Sequence, residues 1–268
     1  LVHVHGLAYT PDGKRLLIPS HRGLAVYSGG RWSKAPGPEH DFMGFTATRV
    51  ALYSSGHPAP GSSLQNPFGL VKSTDGGRSW IPLGLTGESD FHVMAAGYGT
   101  GTIYVHSPAV NSRMREPGIH HTSDDGKTWT RSAADRLSGG LMSLAVHPRR
   151  GNVVAAVTDA GLFVSENLGD QFTAVAASQP VSAMFDQDGA HLWFGGYAAK
   201  ATLTRLDLKT QERVSVAIPD LTQDAIAYIA QNPATREQYA IATFKRDVFV
   251  SNDSGRTWKQ IAAHGETR

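Results

Sequence analysis

One eight-residue phrase recurs along the chain and limits its possible folds more than any other feature. It reads Ser/Thr-x-Asp-x-Gly-x-Ser/Thr-Trp at 73–80, 122–129 and 251–258, with a weaker copy at 165–172. In such a turn an aspartate or asparagine side chain bonds to nearby backbone amides, and the glycine takes a positive φ. The closing aromatic residue then enters the next strand and packs between sheets. The phrase therefore predicts repeated hairpins between short strands.

The spacing of the aromatic residues predicts how many of these units the chain contains. They stand at intervals of 48, 49, 43 and 86 residues, at Trp32, Trp80, Trp129, Phe172 and Trp258. The last interval is twice 43, which places one degenerate unit near 213–214. Each unit has room for four strands, and radial repetition of four-stranded sheets protects strand edges. We predict an all-β single domain, a β-propeller of about six four-stranded blades at 1–38, 39–86, 87–135, 136–177, 178–219 and 220–263.

Composition excludes several other classes of protein. The chain has 268 residues, 40% hydrophobic and 18% charged, which is typical of a globular domain. No apolar stretch approaches the roughly 18 residues that a spanning helix needs, so no transmembrane segment is expected. The net charge of +2 comes from scattered Lys and Arg, so we expect no nucleic-acid partner. The absence of cysteine favours export, with a leader already removed, to a secreted, periplasmic or envelope-attached location. We expect a monomer.

Histidine and aspartate recur at equivalent places in the first three predicted blades. The start of each inner strand lies beside the end of the second strand, because the two run antiparallel. In the last three blades these places carry mostly small or apolar residues. In the first three they carry His3-x-His5, Asp41-x-Met43 and Asp90-x-His92 at inner-strand starts, and His21, His57 and His106 at second-strand ends.

This set of side chains has the chemistry of a transition-metal site. Imidazole with thioether favours copper, whereas imidazole with carboxylate suits zinc or iron equally well. Any single histidine here is explained by a hydrogen bond to a neighbouring blade, but burying several imidazoles together without a cation is costly. We predict binding of copper or zinc on one face of the propeller. The candidate ligands, of which one ion can use only some, are His3, His5, His21, Asp41, Met43, His57, Asp90, His92 and His106. His40, His120 and His121 are expected at the surface.

Several longer motifs resemble a known family. They are the segments 3–7, 41–45, 55–58, 66–70 and 90–92. Together they are similar to bacterial exported propellers with Asp-box (BNR) repeats, whose members are often labelled sialidase-like or glycosyl hydrolase-like. The repeats are also distantly similar to those of sortilin-type receptors and photosystem assembly factors. The resemblance implies export and a propeller, and it leaves the activity open.

Two other functions compete with metal binding. The chain lacks the Arg-Ile-Pro motif and the Tyr-Glu pair of sialidases, but Asp41 and Asp90 could act as the two carboxylates of another glycoside hydrolase. A third function is to present a rigid face to a protein partner, as assembly factors do. The long segments 54–67 and 107–117 are expected to overhang the histidine-rich face. We favour a binding protein over an enzyme. If the protein is an enzyme, we expect it to hydrolyse glycosides. How the ring closes is left open, because no strand from one terminus obviously completes the other's blade.

Overall fold

The computed structural model describes residues 1–176 and 179–267 and confirms a β-propeller of six antiparallel blades. Within each blade the strands are consecutive in the chain. Blade 1 contains β1 Ala8–Tyr9, β2 Leu16–Ser20, β3 Gly23–Ser28 and β4 Arg31–Lys34. Blade 2 contains β5 Asp41–Ala47, β6 Leu52–His57, β7 Leu70–Ser73 and β8 Ile81–Gly84. Blade 3 contains β9 Met94–Ala96, β10 Ile103–Ser107, β11 Gly118–Thr122 and β12 Thr130–Arg131. Blade 4 contains β13 Leu141–Val146, β14 Val154–Thr158, β15 Gly161–Ser165 and β16 Thr173–Ala176. Blade 5 contains β17 Pro180–Phe185, β18 His191–Ala198, β19 Lys200–Asp207 and β20 Arg213–Ser215. Blade 6 contains β21 Ile226–Gln231, β22 Tyr239–Thr243, β23 Val248–Ser251, β24 Lys259–Ala263 and β25 Glu266–Thr267.

The sixth blade departs from the four-strand expectation, because the short strand β25 pairs with β24 and gives this sheet five strands. The degenerate unit predicted near 213–214 corresponds to β20, a short outer strand. In the described part of the chain, no helix is long and apolar enough to cross a membrane.

The repeated phrase forms the turn between the third and fourth strands of four blades. In blade 2, Asp75 Oδ1 accepts the Ser79 N–H at 3.0 Å, and Oδ2 accepts the Ser79 hydroxyl at 2.6 Å. The Ser73 hydroxyl donates to Asp75 and accepts the Gly77 N–H at 2.9 Å. Gly77 has φ +91°, where a side chain would be strained. The same bonds recur around Asp124 and Asp253.

The hydrophobic core lies between blades rather than in one centre. Each cluster of buried side chains joins two neighbours; Leu17 and Leu24 of blade 1, for example, pack with Phe42 and Phe68 of blade 2. Since every blade buries both of its faces in this way, each sheet is stabilised by packing against its two neighbours in the ring.

The ring closes through the same kind of contact. Blade 1 residues Tyr9 and Leu16 pack with Ala240 and Ile261 of blade 6. Trp32 Nε1 donates to the Ile261 carbonyl at 2.9 Å. Closure in the described residues therefore depends on side-chain packing and hydrogen bonds, without exchange of a strand between the first and last blades.

We expect the turn carboxylates to make stability fall in strong acid. Hydrogen bonds from the hydroxyl and the backbone of Ser79 lower the pKa of Asp75 from 3.8 to about 2. Their stabilising effect is complete above pH 3.8 and is lost as the pH falls towards 2. At pH 7, Asp75→Ala should lower Tm by about 2–4 °C, and the difference from wild type should shrink below pH 4.

Asp75→Asn is the matched control, because Asn167 already makes the equivalent uncharged bond to the Gln171 N–H at 3.0 Å. It should stay closer to wild type at pH 7 than the alanine variant and lose the acid dependence. A Tm difference for Asp75→Ala that is constant from pH 7 to pH 2 would contradict this account.

Candidate metal centre

Antiparallel pairing brings the histidine-bearing strand ends of the first three blades to one face. Asp41 and His57 are cross-strand partners at the start of β5 and the end of β6. His21 directly follows β2, and the His5 N–H donates to the Pro19 carbonyl of that strand. His92 lies just before β9, whose neighbour β10 carries His106.

Four of these side chains form the blade 1–2 cluster, defined as His3, His5, His21 and Asp41. The three imidazoles place one nitrogen each within 4.8 Å of one another. Their ring centroids are 4.4 to 5.6 Å apart. Asp41 Oδ2 lies 2.6 Å from His21 Nδ1, and Asp41 Oδ1 lies 3.8 Å from His5 Nε2. The carboxylate thus stands between two imidazoles of the preceding blade.

Two atoms in this cluster lack partners. His5 Nε2 and Asp41 Oδ1 are both buried and make no hydrogen bond. Leaving such atoms unpaired costs about 1–3 kcal/mol each. At 3.8 Å they are too far apart to bond directly. Two ligands of one ion, each bonded at about 2.0–2.1 Å, lie about 3.3 Å apart at the tetrahedral angle and about 4.1 Å apart when opposite. The gap of 3.8 Å lies between these two distances, so it can hold a bridging ion.

The protonation state of His5 suits a ligand. Burial, together with the neighbouring charge of His21, lowers its pKa to about 4, although Asp41 acts in the opposite direction. His5 is therefore neutral at pH 7, and neutral imidazole is the form that binds metals.

Three further side chains form the blade 2–3 cluster, defined as His57, Asp90 and His92. Asp90 Oδ2 lies 3.1 Å from His57 Nε2 and 2.7 Å from His92 Nε2. His57 Nδ1 lies 2.6 Å from Asn66 Oδ1. Asp90 Oδ1 is buried without a hydrogen bond.

Met43 and His106 are placed differently from the other candidates. Both are half-buried, Met43 in β5 and His106 in β10, where it pairs with Ile119. Among residues 1–176 and 179–267, His106 joins no ligand-spaced group of histidines and carboxylates, and neither do the three residues of the blade 2–3 cluster. Their role as ligands stays a prediction.

The surface positions expected for two other histidines are wrong. His40 is 6% exposed and His120 is 3% exposed. His40 packs its ring near Phe68 and accepts the Ala59 N–H at 2.9 Å, so it supports the loop after β6. His121 is half-buried, with its ring near Tyr104. These imidazoles fill space between strands. The alternation of polar and apolar residues in the sequence does not reveal such buried positions.

A second ligand-spaced group, Asp186, Asp188 and His191, went unnoticed in the sequence. Its Asp-x-Asp-x-x-His spacing was the available signal. It lies at the other end of its blade, because β18 begins at His191. Asp186 accepts the His191 N–H at 3.0 Å with one oxygen and contacts His191 Nδ1 at 2.8 Å with the other. Both oxygens are used, so this group closes a hairpin.

The two clusters border a cavity on the propeller axis. The cavity has a volume of about 290 Å³ and is lined by residues of the inner strands of all six blades. His5 and His92 both contribute to its wall, as do Met142 of blade 4 and Phe244 of blade 6. The imidazoles of blades 1 and 3 therefore face a common space.

Comparisons with known proteins support the fold and leave the activity open. No family model matches the chain. A xyloglucanase of Paenibacillus sp. is 27% identical over 208 residues, which are 73% of this chain and 20% of that protein. The chain thus spans about a fifth of the length of this curated relative.

Solved propellers cover nearly the whole chain at low identity. A GH74 enzyme of Niastella koreensis has a TM-score of 0.61 and 14% identity, over 97% of this chain and 45% of that one. YCF48 bound to a D1 peptide has a TM-score of 0.55 and 17% identity, over 97% and 81%. An ancestral GH74 enzyme has a TM-score of 0.55 and 13% identity, over 97% and 38%. At these identities the likeness shows the propeller fold.

We expect His5 to titrate far below an ordinary histidine in metal-free protein. Its pKa of about 4, against 6.5 for an unperturbed imidazole, means that the free energy of unfolding decreases as the pH falls from 6.5 to 4. NMR titration of the histidine ring C–H signals measures this pKa, and His5→Asn identifies the signal and removes its contribution to acid destabilisation. A His5 signal that titrates near 6.5 would contradict the burial described above.

Proposed function

We propose that this protein binds a copper or zinc ion in the blade 1–2 cluster, as an exported binding protein rather than an enzyme. The observation that carries the proposal is the pair of buried, unpartnered atoms, His5 Nε2 and Asp41 Oδ1, that face each other at 3.8 Å. An ion between them satisfies both atoms and neutralises the carboxylate charge. Export is supported by the absence of cysteine and by the resemblance of the chain to exported propellers.

The hydrogen bonds of the cluster position the carboxylate. His21 Nδ1 donates to Asp41 Oδ2, so Nδ1 carries a proton and Nε2 of the same ring points away from Asp41. His21 therefore holds the carboxylate in place, as the outer partners of metal ligands commonly do. His3 is exposed, so it can complete the donor set from the solvent side. Two imidazoles and one carboxylate, with a water in the open position, suit Zn²⁺ or Cu²⁺.

Glycoside hydrolysis is the second candidate, and it is supported by the 27% identity to a xyloglucanase. Asp41 and Asp90 are the carboxylates on the face that could serve it. Both hold imidazoles within 3.1 Å, which suits ligand positioning more than attack on a sugar. Partner binding is a third candidate, supported by the likeness in fold to YCF48 bound to a D1 peptide.

Metal binding is tested on protein purified without a metal-affinity tag. Wild type should bind Zn²⁺ or Cu²⁺ in isothermal titration, retain it after gel filtration, and show a Tm that rises with metal concentration. His5→Ala combined with His21→Ala should weaken binding to this cluster by more than about 100-fold. Circular dichroism checks that the variant keeps the propeller.

His191→Ala is the matched control, because it removes a histidine paired with an aspartate at the other end of a blade. It should bind metal as wild type does. Absence of metal binding in the wild type, or binding that the double variant retains in full, would overturn the proposal. Release of sugars from xyloglucan that is lost in both Asp41→Asn and Asp90→Asn would place glycoside hydrolysis first.

A further inference from the structure

We propose that the axial cavity binds a small, uncharged organic molecule with an apolar body and one or two hydrogen-bonding groups. This inference goes beyond the proposed function and does not depend on it, because it concerns the wall of the cavity in blades 4 to 6 rather than the blade 1–2 cluster. The observation that carries it is a set of apolar side chains gathered at the mouth of the cavity on the histidine-bearing face.

β-Bulges place three of these side chains at the mouth. In blades 4, 5 and 6 the inner strand has one residue more than its neighbour at the same point, namely Met142, Val181 and Ala227. All three line the cavity. A bulge bends the strand and redirects the side chain of the extra residue. Because the three bulges stand at equivalent positions, they form an apolar arc along half of the mouth.

The other three blades complete the mouth differently. His5 and His92 line it in blades 1 and 3. Blade 2 also has a bulge, between Phe42 and Phe45, but the cavity wall of that blade begins at Phe45. The mouth is thus divided into a polar arc and an apolar arc.

Phe244 extends the apolar arc. It directly follows β22, and its N–H donates to the Ala225 carbonyl at 3.1 Å, which holds it beside the start of β21. Phe244 is 60% exposed and Met142 is 43% exposed, and both line the cavity. Large apolar side chains left in water at the rim of a cavity are a feature of ligand-binding sites. An apolar body that rests against them removes both from water.

The cavity wall carries no acidic or strongly basic side chain. Among the described residues that line it there is no Lys, Arg, Asp or Glu. Half-buried apolar side chains continue the wall further along the axis, among them Leu7, Val93 and Met184. An uncharged ligand therefore fits the cavity better than an ionic one, because a charge moved there from water has no fixed charge with which to pair.

The inner strands also supply hydrogen-bonding groups. Each of the inner strands β1, β5, β9, β13, β17 and β21 is an edge strand that pairs with one neighbour in its sheet. Unpaired backbone N–H and C=O groups on these edges are available to a polar group of the ligand. The volume of about 290 Å³ lies at the lower limit of ligand pockets, about 300–1,000 Å³, which favours a small molecule over a peptide chain.

The methionines of the chain report on the cavity. Met94, Met142 and Met184 line it, whereas Met43 and Met114 lie outside its wall. Protein with isotope-labelled methionine methyl groups, kept metal-free with EDTA, is titrated with indole and with N-phenyl-1-naphthylamine, both uncharged at neutral pH. The three cavity signals should shift saturably in NMR spectra. The signal of Met114, which is buried between blades 2 and 3, should not move. Met→Leu variants assign the signals.

Substitutions at the mouth test the apolar arc. Met142→Glu with Phe244→Glu should weaken binding of N-phenyl-1-naphthylamine, measured by its fluorescence, at least about 10-fold, because it places two carboxylates against an apolar ligand. Ile81→Glu with Val214→Glu is the matched control. These two residues are 57% and 38% exposed, on the outer strands β8 and β20, so the control adds the same charge away from the cavity and should bind as wild type does. Circular dichroism checks that both variants keep the propeller.

Three results would overturn the proposal. They are the absence of methionine shifts with either compound, which means a cavity filled by water only; shifts that leave the cavity methionines unmoved; and equal weakening of binding in the two double variants. Because these titrations are made in EDTA, absence of metal binding in the wild type would overturn the proposed function and leave this inference standing. The Met142→Glu, Phe244→Glu variant should in turn keep the ion of the blade 1–2 cluster.

Discussion

Antiparallel pairing of the first two strands in every blade is the constraint from which the site follows. It places the start of each inner strand beside the end of the second strand, as in the pairing of Asp41 with His57. Closure of the ring then sets that edge against the corresponding edge of the next blade. Side chains from separate parts of the chain, such as His21 and Asp41, meet across the junction.

The carboxylates at this edge are less completely hydrogen-bonded than those in the turns of the repeated phrase. In the turn around Asp75, both carboxylate oxygens accept hydrogen bonds, and the pKa is lowered accordingly. At Asp186 both oxygens are also used. Asp41 and Asp90 instead keep one buried oxygen without a partner while facing imidazoles. Incomplete satisfaction of buried polar groups is rare in stable structures, and Asp224 Oδ2 is a further case, so an unpaired oxygen alone does not mark a site. At Asp41 it points to a ligand because imidazoles with the spacing of metal ligands lie beside it.

The sequence predicts the fold well because the determining interactions are local. The turns around Asp75, Asp124 and Asp253 each bond within a span of a few residues, so their sequence pattern carries their structure. The fifth strand of the last blade has no such signal, since β25 exists only through its pairing with β24. The mode of ring closure likewise depends on contacts such as Trp32 with Ile261, which are 229 residues apart.

The site was predicted only in part for the same reason. Alignment of strand ends indicates which side chains share a face, but the division into two clusters depends on contacts between neighbouring blades, such as His21 with Asp41 and His57 with Asp90. The burial of His40 was missed because its ring packs near Phe68, 28 residues away in the chain. That of His120 was missed because β11 lies between two other strands, β10 and β12. The central claim is that an ion joins His5 to Asp41, and an anomalous difference map from crystals soaked in zinc tests it most directly. The account predicts a peak about 2 Å from both His5 Nε2 and Asp41 Oδ1. A peak confined to Asp186, Asp188 and His191, or a water molecule bridging His5 and Asp41 with no anomalous signal, would contradict it.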